Sequence, residues 1–253
     1  MGSIKIVGIA GSPRRGNTEL LVKEALKTAE SIGEVETEFI SLAGKKIQPC
    51  RADYRCTIEG TFDLPCPTIP DDDANEILKR LVMADGIIVG SPVYWGGVTA
   101  QLKALFDRSM SVESQNKSLR NKVAGAISVA FDRNGGQETT VLSIHWWMLI
   151  NDMIVVGSGP EVPKIGMGGY LGGMATQGFP YPKASTTKEA LSAAMEDEIG
   201  LNSIRGVGKR VAEVAKIVKA GLMEVPEKKL AWPKKVKLEL FDHYKELRKK
   251  SKK

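Results

Sequence analysis

Apolar runs of strand length alternate with stretches of helical periodicity along most of this chain. Strand patterns fall at 4–10, 35–40, 86–91, 123–130 and 153–157. Helical patterns fall between them at 17–32, 72–84, 98–111 and 137–150, and again at 204–222. Alternation of this kind predicts a doubly wound parallel sheet with helices on both faces. In such sheets ligands bind outside the carboxyl ends of the strands, where strand order reverses. The loops after the first and third strands should therefore share one crevice.

The first of those loops is rich in anion-binding groups. Residues 11–18 read Gly-Ser-Pro-Arg-Arg-Gly-Asn-Thr, directly after an apolar run and directly before Leu20, Leu21, Ala25 and Leu26 at helical spacing. The opening N–H groups of a helix lack internal partners and carry partial positive charge. Ser12 and Thr18 add hydroxyls, Asn17 an amide and Arg14 a permanent charge. The alternative is an ordinary strand-to-helix turn with a serine cap. The loop is not Gly-x-x-x-x-Gly-Lys-Ser/Thr, nor is it the Gly-x-Gly-x-x-Gly dinucleotide fingerprint, so it points to a phosphomonoester.

The second loop reads Gly-Ser-Pro-Val-Tyr-Trp-Gly-Gly at 90–97. Pro92 ends the strand because it has no N–H. Tyr94 and Trp95 then offer aromatic faces, and Gly96 and Gly97 allow close backbone approach. A phosphorylated planar heterocycle fits the two loops together; surface packing or a subunit contact is the other reading of the aromatic pair.

These two motifs resemble the flavodoxin-like NAD(P)H-dependent FMN reductases, and within them the iron–sulfur flavoprotein branch. A third segment, Phe-Asp-Arg-Asn-Gly-Gly-Gln-Glu at 131–138, is similar to that family's third flavin-contacting loop. The resemblance covers roughly residues 3–157. It implies a flavodoxin-like five-stranded sheet of order 2-1-3-4-5. It assigns Ser12, Arg14, Asn17 and Thr18 to the FMN phosphate, Pro92, Val93, Tyr94, Trp95 and Gly96 to the isoalloxazine ring, and Arg133 and Gly135 to the third loop. It further implies NAD(P)H as co-substrate and a small acceptor such as a flavin or quinone; since FMN would carry the chemistry, no catalytic acid or base is expected. The other expectation is an electron carrier without a small-molecule substrate.

All three cysteines, Cys50, Cys56 and Cys66, fall in a long connection at 41–70. Such a cluster, odd in number, reads as metal or redox chemistry more readily than as a disulfide framework. Iron–sulfur flavoproteins carry a compact four-cysteine motif here, which implies a [4Fe–4S] cluster fed by a ferredoxin-like donor. This chain has Asp53 at the second ligand position and nine residues between Cys56 and Cys66. A cluster with altered ligation, a zinc site and a structured loop with small buried thiols are all open readings.

The remaining features bound the reading. Net charge is +6, yet residues 227–253 alone hold eleven Lys or Arg against four Asp or Glu. The body is thus near neutral and a basic, helix-patterned extension at 223–253 follows a main domain at 1–222. That extension reads as a packing helix, an attraction to an acidic redox partner or, third, a nucleic-acid contact; no nucleic-acid partner is expected. Asp71, Asp72 and Asp73 read as helix-start charges rather than a metal site. His145 reads as core or interface. Residues 157–183 form a glycine-rich loop with interleaved Met and aromatic residues. No membrane span or signal peptide is apparent, so a cytoplasmic homodimer or homotetramer is expected.

Overall fold

The computed structural model describes residues 3–114, 117–159, 169–177, 188–226 and 229. Five parallel strands form the sheet in the order β2-β1-β3-β4-β5: β1 (Ile4–Ala10), β2 (Val35–Ser41), β3 (Gly86–Pro92), β4 (Val123–Ala130) and β5 (Ile154–Val156). The central strands β1, β3 and β4 are buried almost throughout, as continuous apolar runs in a parallel sheet should be.

A sixth strand, β6 (Gly173–Thr176), corrects the five-strand count and the reading of 157–183 as loop throughout. β5 pairs with Val123–Gly125 and β6 with Ile127–Ala130, so two short strands share one edge of β4. Four residues between glycines are too short a pattern to read as a strand. The interleaved Met167, Phe179 and Tyr181, and the basic stretch from 230 onward, lie outside the described residues.

Helices cover both faces. On one side α1 (Asn17–Glu30) and α8 (Glu198–Glu224) pack through Leu21, Val22, Ile204, Val207 and Val211 onto Ile6, Ile88 and Ile127. On the other, α3 (Ala74–Val82), α4 (Ala100–Arg108) and α6 (Gln137–Ile150) bury Leu78, Leu105 and Ile144 against Val7, Ile87 and Ala126. The short helices are α2 (Arg55–Glu59), α5 (Met110–Glu113) and α7 (Lys188–Ser192), the last running into a 3-10 turn at Ala193–Glu196. α8 begins six residues before its apolar pattern does, because Asp197 accepts the Gly200 N–H at 3.0 Å and caps it.

Among the described residues no helix is long and apolar enough to cross a membrane.

Candidate functional site

The loops after β1 and β3 meet as the reversal of strand order requires. They line one open cleft of about 200 Å³, together with the end of β4. Ser12, Arg14, Asn17, Thr18, Pro92, Val93 and Tyr94 all face it. So do Arg15, Phe131, Gln177 and Leu191, which the sequence reading did not single out. Among the described residues two arginines line the cleft and no carboxylate does, which suits a dianion. Among the described residues no side chain caps α1, which leaves its first N–H groups for an anion at the cleft floor. These donors fit the phosphate of FMN.

Two of the expected phosphate donors are spent on the chain itself. The Ser12 hydroxyl donates to Arg14 O at 2.6 Å and accepts from Arg14 N at 3.2 Å, which shapes the loop. The Asn17 amide bonds to the turn at 190–194.

The Tyr94 turn is tight. Tyr94 and Gly97 exchange both backbone hydrogen bonds across it, and Trp95 and Gly96 have φ of 49° and 80°. A left-handed tryptophan is an outlier of the kind found at ligand sites. The Trp95 side chain is fully exposed, and neither Trp95 nor Gly96 is among the residues that line the cleft. Val93 N donates to Val129 O at 2.9 Å, and Thr139 Oγ1 donates to Gly96 O at 2.7 Å, so the turn is fixed to β4 and to α6. The inner amides of Trp95 and Gly96 are the donors the turn has left among the described residues.

The third loop divides its residues. Phe131 lines the cleft, whereas Arg133 lines a neighbouring one of about 270 Å³ formed with Gln137, Thr176 and Ser203. Gly135 serves the turn, since a Cβ there would lie 2.8 Å from Asp132 O. His145 is buried in α6 and lines neither cleft, and that burial lowers its pKa.

The cysteine connection is pinned at its base. Arg108 and Asp72 form an ion pair at 2.7 Å with almost no exposure. Arg108 also donates to Gln48 O and Ile69 O, each at 3.2 Å, and Gln48 N donates to Asp72 at 2.9 Å. One buried pair therefore ties the entrance of the loop to its exit. Asp73 sits at the N-cap position of α3 but gives its side chain to Lys45 and the Lys46 N–H, which hold its pKa down.

Within the loop Cys50 is exposed, Cys56 is half-buried and Cys66 is buried. Burial foremost, then the neighbouring Cys66, Cys50 and Asp53, push the Cys56 thiol up to about 11. Asp53 accepts hydrogen bonds from Thr68 Oγ1 at 2.6 Å and from Arg55 N at 3.1 Å. Among the described residues no three His, Cys, Asp or Glu side chains form a set that would hold a metal ion. As placed, three thiols at different depths and a carboxylate already bonded do not fit the four-thiolate set of a cubane.

Comparison with known proteins agrees with the geometry. Residues 4–164 match the family model for NADPH-dependent FMN reductase. An iron–sulfur flavoprotein of Methanocaldococcus jannaschii is 47% identical over 217 residues, covering 85% of this chain and 100% of its own. One from Methanosarcina thermophila is 37% identical over 216 residues, covering 85% and 97%. The crystal structure of RosB with a bound intermediate superposes with a TM-score of 0.64 at 14% identity, over 98% of this chain and 88% of that one. That likeness speaks for the fold and extends it through the C-terminal helix.

Proposed function

Because the chain belongs to the NADPH-dependent FMN reductase family, in its iron–sulfur flavoprotein branch, we propose that it holds FMN in the cleft between the β1 and β3 loops and passes electrons from NAD(P)H to a small acceptor such as a flavin or quinone. The observation that carries this reading is the single cleft that joins an uncapped helix start and two arginines to the Tyr94 turn. FMN, when bound, supplies hydride acceptance from a nicotinamide and release of electrons singly or in pairs.

The chain's own residues bind and orient. Arg14, Thr18 and the first amides of α1 hold the phosphate; Arg15 adds a second charge at the same wall. Pro92, Val93 and Tyr94 flank the ring, with the Trp95 and Gly96 amides and the 133–136 loop as the polar contacts beside it. Gly135 keeps that loop tight, and Arg133 lies one cleft further on. The exposed Trp95 face leaves one side of the site open to a second planar molecule. No side chain is assigned to move a proton.

A second reading has its own support. Two relatives that match over 97% or more of their own length are iron–sulfur flavoproteins, which favours single-electron exchange with a ferredoxin-like partner. Among the described residues the cysteine loop presents no set that fits a cluster. The free thiols suit the reducing cytoplasm. A homodimer or homotetramer is part of the same proposal, because the apolar outer face of α6 is open.

The test is a flavin titration followed by turnover. Arg14→Ala should weaken FMN binding by about 1.5–3 kcal/mol, the worth of a charge-assisted contact, and leave riboflavin binding nearly unchanged. FMN-loaded protein should then oxidise NADH or NADPH with a quinone acceptor. Turnover at background with both nicotinamides, beside fast exchange with ferredoxin, would assign the carrier reading instead. Equal FMN affinity in the variant would place the phosphate elsewhere.

A further inference from the structure

Asn17 stands in the phosphate loop, yet its side chain faces the far end of the sequence. Its Nδ2 donates to Ala190 O at 2.8 Å, and its Oδ1 accepts from Ala194 N at 3.0 Å. One amide thus spans the whole turn from α7 into the 3-10 segment, more than 170 residues away in the chain. Ala190 and Ala194 are both buried, and the two bonds are partly so. Gly16, at φ 149°, lies so close beneath that a Cβ would stand 3.0 Å from Leu191 Cδ2 and 3.1 Å from Leu191 O.

The turn held in this way is a wall of the cleft. Leu191 and Gln177 line it together with Tyr94, and both lie beyond the segment that the family model matches. The wall is braced from behind, because Asp197 accepts from Thr176 N at 2.9 Å and from Gly200 N at 3.0 Å. The Asn17 amide joins the start of α1 to both sides of the turn, through the Ala190 carbonyl and the Ala194 N–H.

We propose that Asn17 is a positioning residue, a latch that holds the Leu191 wall against the sugar-phosphate end of the flavin and so sets how slowly the cofactor leaves. The proposal rests on the FMN reading of the cleft. It differs from a phosphate-contact role for Asn17 in one measurable respect. A phosphate contact matters to FMN and not to riboflavin, whereas a wall slows the escape of both. Only an amide satisfies the turn, since it must donate to one carbonyl and accept from one N–H. Asn17→Asp presents a carboxylate to Ala190 O and opens the latch at least as fully as Asn17→Ala.

The experiment follows release of FMN and of riboflavin from the full-length protein by recovery of flavin fluorescence after dilution. Asn17→Ala should speed release of both flavins by a similar factor, roughly tenfold for two lost hydrogen bonds of ordinary strength. Leu191→Ala, which changes no residue of the phosphate loop, should do the same, and the double variant should be no faster than the worse single one. Hydrogen exchange at the Ala194 amide should rise in Asn17→Ala. Faster release of FMN alone, or no change for either flavin, would overturn the latch. Additive effects in the double variant would overturn it too. Failure of the unaltered protein to bind either flavin would instead sink the FMN reading, and Arg14→Ala, expected to affect FMN only, marks the phosphate contact independently.

Discussion

Trp95 carries the clearest strain in the site. Its φ of 49° is one that a bulky residue adopts at a penalty of order 1 kcal/mol or more, and its ring gains nothing from burial. Trp95→Gly should therefore raise conformational stability by about 1 kcal/mol in denaturant titration while weakening flavin affinity or turnover. Unchanged affinity and turnover would show that the indole has no part in the site. At this scale the sequence was informative about residue types and less so about what each does. The Ser12, Arg14, Thr18 and Tyr94 positions converge as their motifs imply. The engagement of Ser12 with Arg14, and of Asn17 with Ala190, is invisible in the motif because it depends on where distant backbone groups arrive. Leu191 and Gln177 lack any local signal, being ordinary residues made relevant only by where β6 and α7 are placed in the fold.

At the level of elements, the cysteine connection is decided by its base rather than its thiols. The Arg108–Asp72 pair is buried and shares carbonyls and an N–H from both ends of the loop. Removing one partner leaves a buried charge alone, so Arg108→Met should lower unfolding free energy by about 3–5 kcal/mol. The double variant Arg108→Met with Asp72→Asn should recover part of that loss, because it removes the orphaned charge. Equal instability in single and double variants would mean that packing of the arginine stem, and not the ion pair, holds the loop. The sequence could not offer this pair. Asp72 sits in an acidic run that reads as a helix start, and Arg108 looks like an ordinary last-turn cation. The loop's chemistry is a separate question, set by Asp53. Its carboxylate is bonded to Thr68 and the Arg55 amide, where the iron–sulfur motif has a thiolate. Asp53→Cys completes the four-thiolate set. After anaerobic reconstitution it should retain more iron and acid-labile sulfide per FMN than the unaltered chain. Equal contents would show that the second ligand position does not limit assembly.

For the whole molecule, the sheet order and the pairing of helices to faces were legible because a continuously buried strand and a half-buried helix leave different periodicities. What lies on the outside was less so, and α6 shows why. Its apolar residues run around the helix, so neighbouring tryptophans face opposite ways. Trp147 stacks on Phe106 at 4.4 Å and donates to Ser109 Oγ at 2.9 Å, whereas Trp146 is mostly exposed. Leu142, Leu149 and Ile150 are exposed on the same helix, and a shallow groove of about 440 Å³ runs past Trp146 and Ile150 to Met110. A chain with near-neutral body charge has little repulsion to keep such faces apart. Contiguous exposed apolar surface of this kind marks an interaction site, and self-association buries it without a second gene product. Light scattering at micromolar concentration should report a dimer or larger species. Trp146→Glu with Ile150→Glu should shift it toward monomer, because each carboxylate would be desolvated against its own copy. The FMN cleft lies at the carboxyl ends of the strands and away from this groove, so the dissociated variant should still bind FMN. A clean monomer for the unaltered chain would exclude the assembly; an unaltered oligomer in the double variant would move the interface to another face.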